Sequence, residues 1–479
     1  MGLAAKVAYN TMVQVVSKVI TTILGLLAVA VMARYLGPSG FGEYTTAFTF
    51  LSFFGIMADL GLTLVTVQMI SRPGADENKI VRNLFSLRFV TASILLGLAP
   101  LLAFFFPYSS AVRLAIAAAL LSFLFTALNQ ILVGVFQKHL RMDRVSIAET
   151  VGRTVLLLGI LASARFDWGL LGIMFSVSAG GAVNFALHLI FSWSYVRPGL
   201  EFDLSIWREV LTKSWPLALT IIFNLLYLKT DILILSLMKS QSEVGIYGAA
   251  YKVIDILTTL PFMFAGVIIP ILTLAWSGGQ NDYFKRVFQR SFDLMIILAV
   301  PLIVGAQFTA DPVMRLVAGS DFSGSGAILR ILMVAAGLVF LSCLLSHAMV
   351  AVGRQREIIG SYFFTAATSV AAYLFFIPKY SYFGAAAVTV YSELAITVFM
   401  FWYLRRYAGF LPGISVLPKA LAASLLMGAA LHYLAAFSAI GAWTLLISLA
   451  MGGMVYFVSL YFLRGLDKKD FQLLIKKDS

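Results

Sequence analysis

The chain has 479 residues, of which 61% are hydrophobic and only 12% charged. A soluble globular domain holds about 45–50% apolar and about 25% charged residues, so that class is excluded. The formal net charge of +13 is scattered in small groups at the ends of apolar runs rather than gathered in one patch, which argues against a nucleic-acid partner.

Apolar blocks of roughly twenty residues, separated by short polar joints, predict transmembrane helices. In chain order the predicted spans are 12–33, 45–67, 84–106, 112–135, 145–164, 168–193, 215–237, 247–272, 291–310, 327–350, 357–377, 383–403, 415–436 and 440–463. The first is too long for a signal-peptide core and shows no small-residue cleavage motif, so it reads as a retained helix. Only "ARFDWG" separates spans five and six. The expectation is an all-α integral membrane protein of about fourteen transmembrane helices. Two pseudo-symmetric six-helix bundles, 1–200 and 201–408, would be followed by two additional helices in 409–464 and a tail in 465–479.

Orientation follows from Lys and Arg. Every second joint is basic: Arg72, Lys79 and Arg82; Lys138, Arg141 and Arg144; Arg197, Arg208 and Lys213; Lys285, Arg286 and Arg290; Arg354 and Arg356; Arg405, Arg406 and Lys419; Lys468, Lys469, Lys476 and Lys477. The alternate joints hold about one basic residue each, such as Arg34, Arg113 and Lys239, or none. Basic joints and both termini are therefore expected on the cytoplasmic side of a cell membrane, with short outward loops.

One joint echoes another. "RYLGPSGFGEYTTA", from Arg34 to Ala47, and "LMKSQSEVGIYGAA", from Leu237 to Ala250, each follow an apolar run, and each places Tyr two residues after Gly: Gly42 and Tyr44, Gly245 and Tyr247. A displacement of six helices preserves orientation, so the halves would be parallel repeats. "DWGLLGIMFSVSAG" and "YSYFGAAAVTVYSE" form a second pair at a similar offset. Two such bundles suit a transporter with its substrate between them near the midplane.

These residues also carry a family resemblance. "ARYLGPSGFGEYTTAFTFLSFFGIMADLGL" resembles the opening of the polysaccharide biosynthesis or oligosaccharide flippase family, within the multidrug/oligosaccharidyl-lipid/polysaccharide exporter superfamily. "TDILILSLMKSQSEVGIYGAAYKV" and "YFGAAAVTVYSE" look like two later hallmarks of that family. The resemblance implies a flippase that moves a polyprenyl-diphosphate-linked oligosaccharide to the outer leaflet. Its partners would be the lipid-linked glycan, membrane lipid, and glycosyltransferases or a polymerase of the same pathway.

A bare sugar hydroxyl or diphosphate in hydrocarbon loses its water partners, so such a substrate needs a wet, preferably cationic path. Lys18, Arg88, Lys229 and Lys252 are the candidate cavity cations, and Asp59, Asp231 and Asp255 the candidate coupling or structural carboxylates. Charges at helix centres cost about 2.5–3.5 kcal/mol on insertion scales, so they should face an interior or a cavity. Blander readings stand beside these. Arg88 and Arg153 lie close enough to basic joints to snorkel. Glu149 and Arg153, at i,i+4, or Lys252 and Asp255, at i,i+3, can neutralise each other. Pro261, Pro270 and Pro301 either hinge their helices or merely shape them.

His188, His347 and His432 lack metal-ligand spacing, and Cys343 is alone, so no metal and no internal disulfide are assigned. No Gly-rich phosphate loop is seen, and no cofactor is expected beyond a coupling H⁺ or Na⁺. Two alternatives share the fold: a cation-coupled multidrug extruder and a peptidoglycan-precursor flippase. The extruder would favour an acidic or aromatic cavity for organic cations. A membrane-bound glycan polymerase or ligase would want a larger outer loop than "TADPVMRLVAGSDFSGSG", so an enzyme is not expected.

Overall fold

The structure, a computed structural model, describes residues 3–59, 61–72, 74, 76–437 and 441–465. The expected tail falls outside these from 466 onward, as do Lys468, Lys469, Lys476 and Lys477; the side chain of Lys213 is also outside the description. Every long element is a helix, and no strand occurs among the described residues. The chain divides into two compact units, 1–248 with 317–321, and 249–316 with 322–479.

The first unit holds α1 (Leu3–Asp59), α2 (Leu62–Ile70), α3 (Glu77–Ala103), α4 (Ser110–Lys138), α5 (Met142–Arg165), α6 (Gly169–Ser192), α7 (Leu204–Met238) and the start of α8 (Gln241–Leu257). The first two predicted spans are joined in α1, which breaks at Gly37 (φ 65°, ψ 179°). Gly37 can adopt that left-handed φ, and Pro38 after it offers no N–H to continue the ladder. A second left-handed glycine, Gly61 (φ 72°), separates α1 from α2. Asp76, Ser109 and Asp203 then cap α3, α4 and α7, accepting from Lys79 N, Val112 N and Ser205 N. Each cap satisfies a donor that the helix itself leaves orphaned.

Two kinds of packing hold this unit. Leu62, Val65, Met69, Val81, Leu84, Ile131, Val135 and Val210 form an apolar cluster joining α2, α3, α4 and α7. Between α5 and α6 the seam is built from small residues: a Cβ on Gly152 would lie 2.9 Å from Gly180 O, and one on Gly180 would lie 2.8 Å from Gly152 O. Without a hydrophobic drive between helices in lipid, such close backbone approach supplies the dispersion that holds them.

The second unit holds the end of α8, α9 (Thr259–Ser277), α10 (Asn281–Val317, to Leu316), α11 (Ser325–Ala351), α12 (Ile359–Ala408), α13 (Val416–Phe437) and α14 (Ala442–Phe462). The predicted eighth span is thus broken into α8 and α9. Pro261 stands in the first turn of α9, where a missing N–H removes the bond that would bridge the two. The predicted spans 357–377 and 383–403 run together in α12, bent at Ser381 (φ 51°, ψ −134°) after Pro378. The second echo is visible in these bends. Gly169, with φ 65°, stands three residues before Gly172, as Ser381 stands three before Gly384.

Among the described residues, eleven helices are long and apolar enough to cross a membrane, and twelve if the bent pair 221–227 and 229–238 is one span. Two of them run over 48 and 50 residues. At 1.5 Å per residue each is roughly 70 Å long, against a hydrocarbon core of about 30 Å. Each is broken near its middle, and counting each as two spans agrees with the expected fourteen. Large exposed apolar side chains cover the helices, including Phe175, Leu274, Phe363 and Leu425, as a lipid-facing surface requires.

Candidate functional site

In the first unit the two copies of the Gly-x-Tyr joint meet. A Cβ on Gly42 would fall 1.7 Å from Gln241 O and 3.0 Å from Gly245 N; one on Gly245 would fall 1.9 Å from Pro38 O and 3.0 Å from Gly42 N. The contact is reciprocal, each glycine facing the other's amide and the carbonyl one turn before it. Only residues without a Cβ allow this approach. Thr46 donates to Gln241 Oε1 at 2.8 Å, and Gly248 packs on Thr45.

The tyrosines that follow both glycines are buried. Tyr44 packs between Phe41 and Phe48, with centroids 5.6 and 5.7 Å away, tilted against the first and stacked on the second. Tyr247 donates its hydroxyl to Asp231 Oδ2 at 2.6 Å, while Asp231 Oδ1 accepts from Ile232 N at 2.7 Å. Asp231 is thereby a fixed acceptor at 0% exposure, tying α7 to α8.

Along α1 and α5 runs a row of charged groups. Ser17 donates to Ser146 O at 3.4 Å, and Asn10 Oδ1 accepts from Met142 N at 2.8 Å, pinning the two helices together. Next to these links Lys18 is exposed. Glu149 lies within electrostatic range of both Lys18 and Arg153, and Arg153 within range of the Tyr44 hydroxyl. Two cations around one carboxylate leave a net positive charge on this face.

Arg88 sits elsewhere. It is fully buried on α3, donating from Nε to Ala127 O at 3.0 Å and from Nη1 to Ala58 O at 2.8 Å, and from Nη2 to Asp59 Oδ1 and Gln130 Oε1. Ala58 and Asp59 form the C-terminal end of α1, where carbonyls have no intrahelical donor and the helix dipole is negative. Arg88 supplies donors and charge there, and so links α1, α3 and α4. Its guanidinium and the Asp59 carboxylate are engaged with each other.

Lys229 is half-buried on α7, two residues before Asp231. Lys252 and Asp255 lie on α8 in the second unit, half-buried and exposed respectively. All three take part in polar or electrostatic contacts. The structure therefore brings together Lys18, Glu149 and Arg153, pairs Arg88 with Asp59, and pairs Asp231 with Tyr247.

One acid escapes the sequence reading altogether. Glu393, in "VYSELAI", is 2% exposed and meets Ser342 Oγ at 3.4 Å. Thr365 Oγ1 and Ser369 Oγ, both buried, have no hydrogen-bond partner. The hydrogen bonds Tyr373–Thr389 and Tyr391–Thr368 set the antiparallel register of the two halves of α12, and that register brings Ser369 level with Glu393. A lone acid within an apolar run was the available signal.

The sequence profile described as "Polysaccharide biosynthesis protein" matches residues 7–276, more than half of the chain. The chain belongs to the polysaccharide biosynthesis protein family. Relatives of this family member include a probable low-salt glycan biosynthesis flippase of Haloferax volcanii, 23% identical over 400 residues, covering 80% of each chain. Another is a putative O-antigen transporter of Shigella flexneri, 22% identical over 412 residues, covering 81% of this chain and 95% of the relative. Among solved structures, the fold is similar to the lipid II flippase MurJ in an inward closed conformation, with a TM-score of 0.74 at 15% identity over 96% of this chain and 99% of that one. It is also similar to an inward-facing multidrug resistance transporter of the MATE family, with a TM-score of 0.68 at 16% identity over 83% and 98%. The protein is a multi-pass membrane protein with a transporter fold, and the named relatives are transporters and flippases rather than enzymes.

Proposed function

We propose that this protein flips a polyprenyl-diphosphate-linked oligosaccharide from the cytoplasmic to the outer leaflet of the cell membrane by alternating access, its termini in the cytoplasm. One observation carries the reading. Lys18 is an exposed ammonium in a helix of apolar composition, and its neighbours Glu149 and Arg153 leave a positive charge in excess. A charge held on a membrane-spanning helix is costly unless it meets water or an anion. A diphosphate headgroup is such an anion, and Lys and Arg offer it donors and charge without enclosing it.

The same excess of cations disfavours extrusion of organic cations, which would be drawn to acidic or aromatic walls. A peptidoglycan-precursor flippase is the second reading. What favours it is that the lipid II flippase fold spans 96% of the chain, where the multidrug transporter fold spans 83%. Asp59 and Asp231 are read as structural carboxylates, because Arg88 and Tyr247 engage them. Lys229 and Lys252 are read as further cavity cations, and Asp255 as a candidate for H⁺ or Na⁺ coupling. Glycosyltransferases or a polymerase would supply and consume the lipid-linked glycan.

The test is export itself. Lys18→Ala and Lys229→Ala proteins should insert and elute as wild type while lipid-linked glycan fails to appear in the outer leaflet. Normal export by both would remove the cationic path. Restored peptidoglycan synthesis in cells lacking their own precursor flippase would favour the second reading.

A further inference from the structure

A second cationic site lies in the other unit, at the basic end of α10. There a shallow cavity of about 350 Å³ is lined by Lys285, Arg286, Gln289, Arg290, Asp293 and Phe410. Its volume falls at the small end of the roughly 300–1,000 Å³ typical of ligand sites. Three cations and one acid give the lining a net charge of +2. Arg290 and Asp293 take part in polar contacts, whereas among the described residues no ion pair or hydrogen bond involves the Lys285 ammonium or the Arg286 guanidinium.

The cavity is held open by fixed walls. Gln289 reads the connector between α12 and α13 with both ends of its amide: Gly413 N donates to Oε1 at 2.6 Å, and Nε2 donates to Gly413 O at 2.8 Å. Nε2 also donates to Asp293 Oδ1 at 2.9 Å, which turns that carboxylate toward Gln289. Phe410 stands edge-on to Phe284 and Phe288, with centroids 6.1 and 5.6 Å away. The connector is therefore stapled to α10 by two hydrogen bonds of the Gln289 amide and an aromatic cluster, independently of the two unpartnered cations.

The surroundings say which anion fits. α10 and α13 are both long and apolar enough to cross a membrane, and the cavity lies near where both begin, the part of a span that meets lipid headgroups. Leu411, Ile414 and Leu417, just along the connector, are all exposed. A free phosphate would satisfy the cations and leave these neighbouring apolar side chains of the connector bare. An anionic glycerophospholipid satisfies both, its phosphate against Lys285 and Arg286 and its acyl chains toward the exposed leucines and isoleucine of the connector; basic pockets between membrane helices are a recurring way of holding such headgroups. We infer that this cavity binds the headgroup of an anionic phospholipid, at a site separate from the Lys18 face and independent of what the protein transports.

The experiment uses the full-length protein in a non-ionic detergent. Its melting temperature is followed as dioleoyl phosphatidylglycerol, dioleoyl phosphatidylcholine or sodium phosphate is added at matched ionic strength. Phosphatidylglycerol should stabilise the wild type, and the other two should not. At about fivefold per cation, Lys285→Gln with Arg286→Gln should need roughly 25-fold more phosphatidylglycerol for the same shift. Arg405→Gln with Arg406→Gln, exposed and outside the cavity, should respond as wild type. Should the first pair compromise folding, Arg286→Gln alone, at an exposed position, should still show the fivefold loss, and Arg286→Lys should recover part of it. A wild-type response from the Lys285/Arg286 variant, or an equal loss in the Arg405/Arg406 variant, overturns the site. An equal shift with sodium phosphate overturns the lipid as its source.

Discussion

Gly42 and Gly245 stand backbone to backbone, each too close to a carbonyl oxygen for any other residue: an added Cβ would sit 1.7 Å from Gln241 O or 1.9 Å from Pro38 O. Neither oxygen belongs to a flexible side chain, so nothing can swing aside. Gly42→Ala or Gly245→Ala should force the α1 and α8 segments apart, at about 1–3 kcal/mol or more. Gly25→Ala is the contrast, because nothing lies within 4 Å of its added Cβ and Ala is the better helix former by up to about 1 kcal/mol. Melting in detergent should lower the first two and leave the third unchanged or higher. Equal melting of Gly42→Ala and wild type would show that the contact does not form.

Arg88 and Asp59 make a prediction of a different kind. Removing one member of a buried pair strands the other, typically at about 3–5 kcal/mol, and Arg88→Ala also strips donors from Ala58 O and Ala127 O. Arg88→Lys should fall nearly as far, since a lysine has no planar fork to span these acceptors. In a double-mutant cycle, Arg88→Met with Asp59→Asn should be less destabilised than the sum of its parts. Strict additivity would mean that the two do not interact.

Glu393 has one long contact to Ser342 and no basic side chain within ion-pair distance among the described residues. Exchange for its neutral isostere removes the cost of burying charge while keeping the shape. Glu393→Gln should therefore melt within about 1 kcal/mol of wild type or above it, whereas Glu393→Ala should lose several kcal/mol to a polar cavity beside Thr365 and Ser369. A severe loss in the Gln variant would show that the acid itself holds the second unit together.

Asp203 contributes a pH dependence outside the membrane. Hydrogen bonds from Ser205 Oγ and Lys79 Nζ hold its carboxyl well below the ordinary value of 3.8. A depressed folded value means that the contribution is present above the unfolded pKa and is lost as pH falls through the folded one. Melting should thus change little from pH 7 to about pH 5 and fall below about pH 4. Asp203→Asn should melt below wild type at pH 6, with the gap narrowing by pH 3. A constant gap would assign the effect to helix capping without charge.

The class of the protein, the order of its apolar segments, and the two Gly-x-Tyr joints were legible in the residues, because each depends on local properties. Twenty apolar residues need a bilayer whatever they pack against, and a left-handed turn needs Gly37 or Gly61 wherever the chain goes. The breaks were harder to read: Pro261 was visible, but that it separates α8 from α9 depends on whether neighbouring helices restore the lost bond.

Partnership was not legible at all. Lys18, Arg88 and Lys229 look alike in a sequence, each a cation in an apolar run, yet one is exposed beside Glu149 and another is enclosed by Asp59, Gln130 and two carbonyls. Charge interactions are decided over a few ångströms between helices that lie far apart in the chain, and the energy of a buried ion turns on those distances and on water access. Composition alone determined that charges had to be hidden or wetted in this protein. Only the packing of α1 against α3, α4 and α5 decided which of them were hidden.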